Sequence, residues 1–184
     1  ITDLTDLQNK RVLIRGDFDV PVDEHGIVVD EFRLDRGLPT IQYLVDQGAK
    51  VIMMGHIGRD PENTLLPVFN VLKKKFPVKF SVDVGGPESS RLVSEMSSGE
   101  IVILENLRQD KREKENDPEF SASLATLADI YVDAAFSVAH RNHASMCGVP
   151  ALLPSYASIN FAHEVEELSN CLLYTSPSPR DTRE

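Results

Sequence analysis

The stretch Lys10–Pro21, KRVLIRGDFDVP, decides how the rest of the chain is read. Val12, Leu13 and Ile14 form a short unbroken apolar run, the pattern of a strand buried on both faces in a parallel sheet. At Arg15, Gly16, Asp17 and Asp19 the run turns polar, and Gly16 and Pro21 punctuate its exit. The polar cluster therefore falls just beyond the carboxyl end of a central strand. In open α/β sheets ligands bind at that edge.

Working outward, Val22–Asp30 reads as a loop or hairpin-like excursion with Gly26 at its tip. Glu31–Gln47 carries Leu34, Leu38, Ile41, Leu44 and Val45 at helical spacing and stops at Gly48. Pro39 falls inside that pattern and predicts a kink or a separate first turn. Lys50–Met54 is a second buried strand, running into Gly55-His56-Ile57-Gly58-Arg59. Leu65–Phe76 predicts a helix with Leu66, Phe69, Leu72 and Phe76 inward and Lys73–Lys75 outward. Val78–Val82 predicts a strand, Pro87–Met96 a short helix with Pro87 in its first turn, and Gly85-Gly86 a plain turn into it.

Ile101–Leu104 is a further strand, ending in Glu105-Asn106-Leu107-Arg108. The charged, mixed-sign run Asp110–Asp117 reads as a solvated surface loop. Pro118–Leu127 predicts a helix and Ala128–Val132 a strand that delivers the segment from Asp133 to Ser145. A loop and a helix over Ser158–Leu168 follow. Leu173–Glu184 shows no apolar periodicity and is expected to be a disordered or artefactual tail, which leaves 1–172 as the folded domain. Strands and helices alternate throughout, which calls for a Rossmann-like, doubly wound parallel sheet with helices on both faces.

The chain has 184 residues, enough for one domain with a proper core. Its 41% hydrophobic and 26% charged residues are ordinary for a soluble globular chain. A net charge of −10, from 19 Lys+Arg against 29 Asp+Glu, argues against a nucleic-acid or anionic-membrane partner. Two cysteines, Cys147 and Cys171, are too few for a disulfide scaffold, and no apolar run is long enough for a membrane span. The first residues lack the pattern of a signal peptide. A cytoplasmic location is the expectation.

Against that acidic background, basic residues gather at one predicted edge. His56 and Arg59, then Arg108, then His140, Arg141 and His143 each follow a strand, and Arg33 opens the first crossover beside Asp17 and Asp19. Guanidinium groups bind carboxylate and phosphate oxygens bidentately. The cluster suits a small, multiply anionic ligand such as a phosphorylated carboxylate. Residue chemistry alone goes no further.

The same residues carry a family resemblance. Arg15-Gly16-Asp17-Phe18-Asp19-Val20-Pro21, Arg33-Leu34-Asp35-Arg36-Gly37-Leu38-Pro39-Thr40-Ile41, Gly55-His56-Ile57-Gly58-Arg59, Leu104-Glu105-Asn106-Leu107-Arg108-Gln109 and Ala139-His140-Arg141-Asn142-His143-Ala144-Ser145 occur in this order. Together they resemble the N-terminal, substrate-binding half of phosphoglycerate kinase, over nearly all of residues 1–172. The resemblance implies transfer of a phosphoryl group between 1,3-bisphosphoglycerate and ADP in glycolysis. It implies that Asp17, Phe18, Asp19, Arg33, His56, Ile57, Gly58, Arg59, Arg108 and Arg141 hold 3-phosphoglycerate or 1,3-bisphosphoglycerate, with Arg33 also reaching the transferring group.

By the same resemblance Mg-ADP or Mg-ATP binds a separate C-terminal domain absent from this chain, and the protein is a monomer. The chain alone is then expected to be inactive. Three positions depart from the family pattern: Asp19 stands for Asn, Asp133-Ala134 for Asn-Asp, and Gln109 for an aromatic. A non-catalytic module that keeps only the anion-binding half is the alternative.

Other signals are weaker. No phosphate loop or dinucleotide fingerprint occurs, and no nucleophile elbow. Arg15-Gly16-Asp17 directly after a buried strand reads as a chance adhesion-type tripeptide. His140, His143 and Cys147 lack the fuller ligand set that zinc needs, so no metal is expected in this chain.

Overall fold

The computed structural model describes residues 1–174. The predicted tail from Leu173 therefore lies outside the described residues, apart from its first two. Among the described residues six strands form one parallel sheet, in the order β3-β4-β2-β1-β5-β6. They are β1 (Arg11–Arg15), β2 (Lys50–Met54), β3 (Val78–Phe80), β4 (Ile101–Ile103), β5 (Ile130–Asp133) and β6 (Ser155–Ala157). The helices are α1 (Phe32–Asp46), α2 (Leu66–Leu72), α3 (Pro87–Ser94), α4 (Pro118–Ala125), α5 (Val149–Leu152) and α6 (Ile159–Tyr174). This is the Rossmann-like α/β arrangement that the alternation calls for.

The period of two along the strands feeds separate cores on the two faces. Val12, Ile14, Val51, Met53, Ile101, Ile103, Ile130 and Val132 pack with Leu34, Ile41 and Leu44 of α1 and Val68, Val71 and Leu72 of α2. Leu13, Ile52, Met54, Val102, Leu104 and Tyr131 pack on the other face with Leu92 and Val93 of α3 and Phe120 and Leu124 of α4. The chain moves outward from β1 through β2 to β3 with α1 and α2 on one face. It then returns through β4 to β5 with α3 and α4 on the other. Right-handed crossovers require that change of face when the direction reverses. The neighbours β1 and β5, and likewise β2 and β4, are thus followed by helices on opposite faces. Such places open crevices at the carboxyl edge.

Several local expectations change. Pro39 does not set off a separate first turn: α1 runs unbroken for 15 residues. Pro39 lies on the exposed side of the helix, as does Asp35, whose carbonyl its ring cannot bond. In α2 the inward set is Pro67, Val68, Val71 and Leu72, while Leu66 is exposed. The helix begins at Leu66 and so turns that residue outward. The Val22–Asp30 excursion closes through a bridge between Val22 and Val28, with Gly26 at φ +74°. β6 and the π turn at Ala144–Gly148 were not foreseen, and α6 runs past Leu168 to Tyr174. The run Asp110–Asp117 is not simply solvated: Lys111–Glu113 forms a 3-10 turn that buries Glu113 at 2% exposure.

Candidate anion site

Each strand end at the carboxyl edge delivers one part of the site. After β1, Asp17 and Asp19 are both half-buried, on either side of Phe18, which is buried. Alternation across an extended segment sends the two carboxylates one way and the ring the other. Asp17 accepts from Arg33 Nη1 at 3.2 Å, in the first turn of α1, and from Ser137 Oγ at 3.1 Å, beyond β5. That triangle joins β1, α1 and the β5 exit.

The second part centres on the loop after β2. Gly58 N donates to Asp19 Oδ1 at 2.8 Å, and the Gly58 carbonyl accepts from Arg108 Nη1. His56 Nε2 lies 3.9 Å from Asp19 Oδ2. Gly58 has φ +64°, a left-handed conformation that favours glycine, and this sharp bend is what aims its N–H and C=O in opposite senses. Asn106, wholly buried at the exit of β4, holds the loop from behind. Its Nδ2 donates to Ile57 O at 3.1 Å and Asn63 O at 2.8 Å, and its Oδ1 accepts from Ile57 N at 3.3 Å. Glu105 beside it accepts from Leu65 N and Thr64 Oγ1 and so pins the start of α2.

Charge is unevenly satisfied here. Burial lowers the Arg108 pKa from its ordinary value, and the charge of Arg141 lowers it further. His143 is lowered by burial and by the charges of Arg141 and Arg108. His56 is pushed down from 6.5 to about 3, first by burial and then by the charges of Arg15 and Arg108. His56, grouped with the basic residues by its place in the sequence, thus adds no positive charge to the edge. It is a neutral imidazole at neutral pH.

The structure joins Asp17, Arg33, Asp19, His56, Gly58 and Arg108 in two groups: Arg33 with Asp17, and Gly58 with Asp19, Arg108 and, through Asp19, His56. Ile57, on the same loop as Gly58, is tied to Asn106. Arg141 is close enough for its charge to act on both His56 and Arg108. Arg59 is exposed on the same loop, and among the described residues its side chain makes no hydrogen bond or ion pair. His140 is exposed beyond them. Among the described residues no group of three or more His, Cys, Asp or Glu could hold a metal ion, and no helix is long and apolar enough to cross a membrane.

Sequence reasoning missed a layer beneath the site. Arg15 is 1% exposed and donates to His56 Nδ1, Ser145 Oγ and the Gly16 carbonyl. Its strand phase held the signal: Arg15 is two residues from Leu13, so it continues an inward-facing row. Glu113 carries no such mark. It contacts Ser145 across 32 residues of chain and sits among charged neighbours that look just like it.

Fold and site together define a doubly wound α/β domain whose carboxyl edge gathers arginines and backbone donors. The sequence model of the phosphoglycerate kinase family matches residues 1–179, and the chain belongs to that family. It is 44% identical over 173 residues to phosphoglycerate kinase of Dictyoglomus turgidum, covering 91% of this chain and 43% of that protein. To the Aquifex aeolicus enzyme it is 46% identical over 154 residues, covering 80% of this chain and 39% of the relative. The phosphoglycerate kinase structure from Coxiella burnetii superposes with a TM-score of 0.83 at 34% identity, over 98% of this chain and 45% of that one. That from Pyrococcus horikoshii OT3 gives 0.85 at 29% identity, over 95% and 46%. The chain thus spans less than half the length of these relatives.

Proposed function

We propose that the anion held at this edge is 3-phosphoglycerate or 1,3-bisphosphoglycerate, and that the full-length protein is a phosphotransferase with a carboxyl acceptor. The acyl phosphate of 1,3-bisphosphoglycerate would pass its phosphoryl group to Mg-ADP, leaving 3-phosphoglycerate and Mg-ATP. The observation that carries this reading is that Arg108 and Arg141, near enough for their charges to act on each other, form no salt bridge among the described residues, at the edge of a chain whose net charge is −10. With no carboxylate of the described residues in salt-bridge contact with either, and Asp19 acting on Arg108 only from a distance, they suit an anion that brings its own charge.

In this reading Asp17, Asp19, His56, Gly58, Arg59, Arg108 and Arg141 surround the substrate, while Phe18 and Ile57 are buried and shape its floor. Arg33 is the proposed catalytic group. It is exposed and, among the described residues, held by no carboxylate but Asp17, so a swing of the side chain would trade Asp17 for a phosphoryl oxygen. A guanidinium there would stabilise charge developing on the transferring group. Residues 1–172 would be the substrate-binding domain. Mg-ADP or Mg-ATP would be held by a second domain within the part of the relatives that this chain does not span. A cytoplasmic, monomeric protein with no nucleic-acid or membrane partner accords with the acidic balance.

The test is titration calorimetry with 3-phosphoglycerate on the chain and on Arg108→Ala. Loss of a charged donor is expected to weaken binding by about 1.5–3 kcal/mol. Equal binding by both would remove Arg108 from the site.

A further inference from the structure

Leu13 and Arg15 share a phase along β1, so the apolar row on the α3/α4 face ends in a guanidinium. Arg15 Nε donates to Ser145 Oγ at 3.0 Å, Nη1 to the Gly16 carbonyl at 2.6 Å, and Nη2 lies 2.9 Å from His56 Nδ1. A guanidinium carries only donors, so the ring nitrogen facing it must offer a lone pair. An imidazole with a bare Nδ1 has its proton on Nε2. That nitrogen points toward Asp19 and the anion edge.

Arg15 is itself braced. Ser145 Oγ donates to Glu113 Oε1 at 2.5 Å and Ser145 N to Oε2 at 3.0 Å, while Tyr131 OH donates to the Ser145 carbonyl at 2.9 Å. Arg15, Ser145, Glu113 and Tyr131 are all buried. The row Glu113–Ser145–Arg15–His56 therefore runs from the 3-10 turn to the site without a break.

We infer that Arg15, braced by Ser145 and Glu113, is a positioning residue that fixes His56 as its Nε2–H tautomer, so that the ring meets an incoming anion as a neutral hydrogen-bond donor. The charged groups that act on the ring are Arg15, Arg108, Asp19 and Arg141. A third positive group beside Arg108 and Arg141 would repel both whenever the site is empty. A neutral N–H adds a directed contact without that repulsion. The ligand readout below rests on the substrate reading given above, whereas the tautomer readout does not.

The experiment is two-bond ¹H–¹⁵N correlation of the imidazoles in the ¹⁵N-labelled chain between pH 5 and 8, with His56 assigned through His56→Asn. The expected result is an unprotonated Nδ1 and a protonated Nε2, both unmoved across the range. An Nδ1–H tautomer or an imidazolium in the native chain overturns the inference without recourse to any variant. In folded Arg15→Met the His56 signals are expected to shift toward a tautomer mixture, and 3-phosphoglycerate to bind about five- to tenfold more weakly. An unchanged tautomer in that variant also overturns it. Should the native chain show Nε2–H at His56 yet bind no 3-phosphoglycerate, the substrate reading falls and the assignment of Arg15 stands.

Discussion

Acidification from pH 7.5 to 5.0 is expected to cost the chain about 2 kcal/mol of stability through His56 alone. The folded protein holds this ring neutral, with its pKa pushed from 6.5 to about 3 by burial and by the charges of Arg15 and Arg108. In the unfolded chain the ring takes up a proton below about 6.5. Between those two values the unfolded state binds a proton that the native state refuses, so stability falls as pH falls. The contribution is absent above the upper value and grows by up to about 1.4 kcal/mol per pH unit below it. His143, lowered for the same kind of reason, acts in the same direction. Glu113 and Asp133 act in the opposite sense, since burial raises both and the folded state keeps protons that the unfolded state would release. A double difference isolates His56. Urea unfolding of the native chain and of His56→Asn at both pH values, analysed by linear extrapolation, should show the variant losing about 2 kcal/mol less on acidification. Asn is chosen because its side-chain oxygen can stand where Nδ1 accepts from Arg15. Equal acid sensitivity in the two proteins would mean that His56 titrates normally and that its burial against Arg15 is misjudged.

Three further outcomes are expected. Glu113→Ala should destabilise the chain by about 3–5 kcal/mol in urea unfolding, because it strips the acceptor from buried Ser145 and removes the strongest of the negative charges that act on Arg15. Asp19→Asn should tighten 3-phosphoglycerate by about 1 kcal/mol, more at low salt, since Asn retains an acceptor for Gly58 N but removes a negative charge beside Arg108; calorimetry at two ionic strengths that found no gain would refute this. In a coupled assay with saturating 3-phosphoglycerate and Mg-ATP, the chain alone should show no turnover, as proximity worth roughly 7–11 kcal/mol is missing when only one reactant is held; turnover by the chain alone would place the nucleotide on it.

The strands were legible because burial on both faces leaves a dense apolar run, as at Val12–Ile14 and Val51–Met54. The carboxyl edge followed from the point where each run turned polar. β6 escaped notice because Ser-Tyr-Ala has neither length nor pattern, and its pairing is supplied by β5. Arg15 was passed over for a related reason. An arginine at a strand end is usually solvated, and only its phase with Leu13 pointed inward. No local pattern could distinguish Glu113 from the charged residues around it, since its burial is created by Ser145 and the turn that folds over it. The charge state of His56 was not legible in the sequence because a histidine's pKa depends on what surrounds it in space.

The ring of Phe18 rests against two strand exits at once. Cβ atoms added at Gly16 and at Gly55 would both run into it. Its placement is therefore written partly in what two other positions lack, and the three residues behave as a single volume shared out along separate parts of the chain. Asp17 and Asp19 flank Phe18 in the chain, so the seat of its ring bears on where both carboxylates point. A homologue that carries side chains at the glycine positions must seat the ring elsewhere. Its acidic pair then shifts too, although neither aspartate has changed, and a comparison made one position at a time would not reveal the reason.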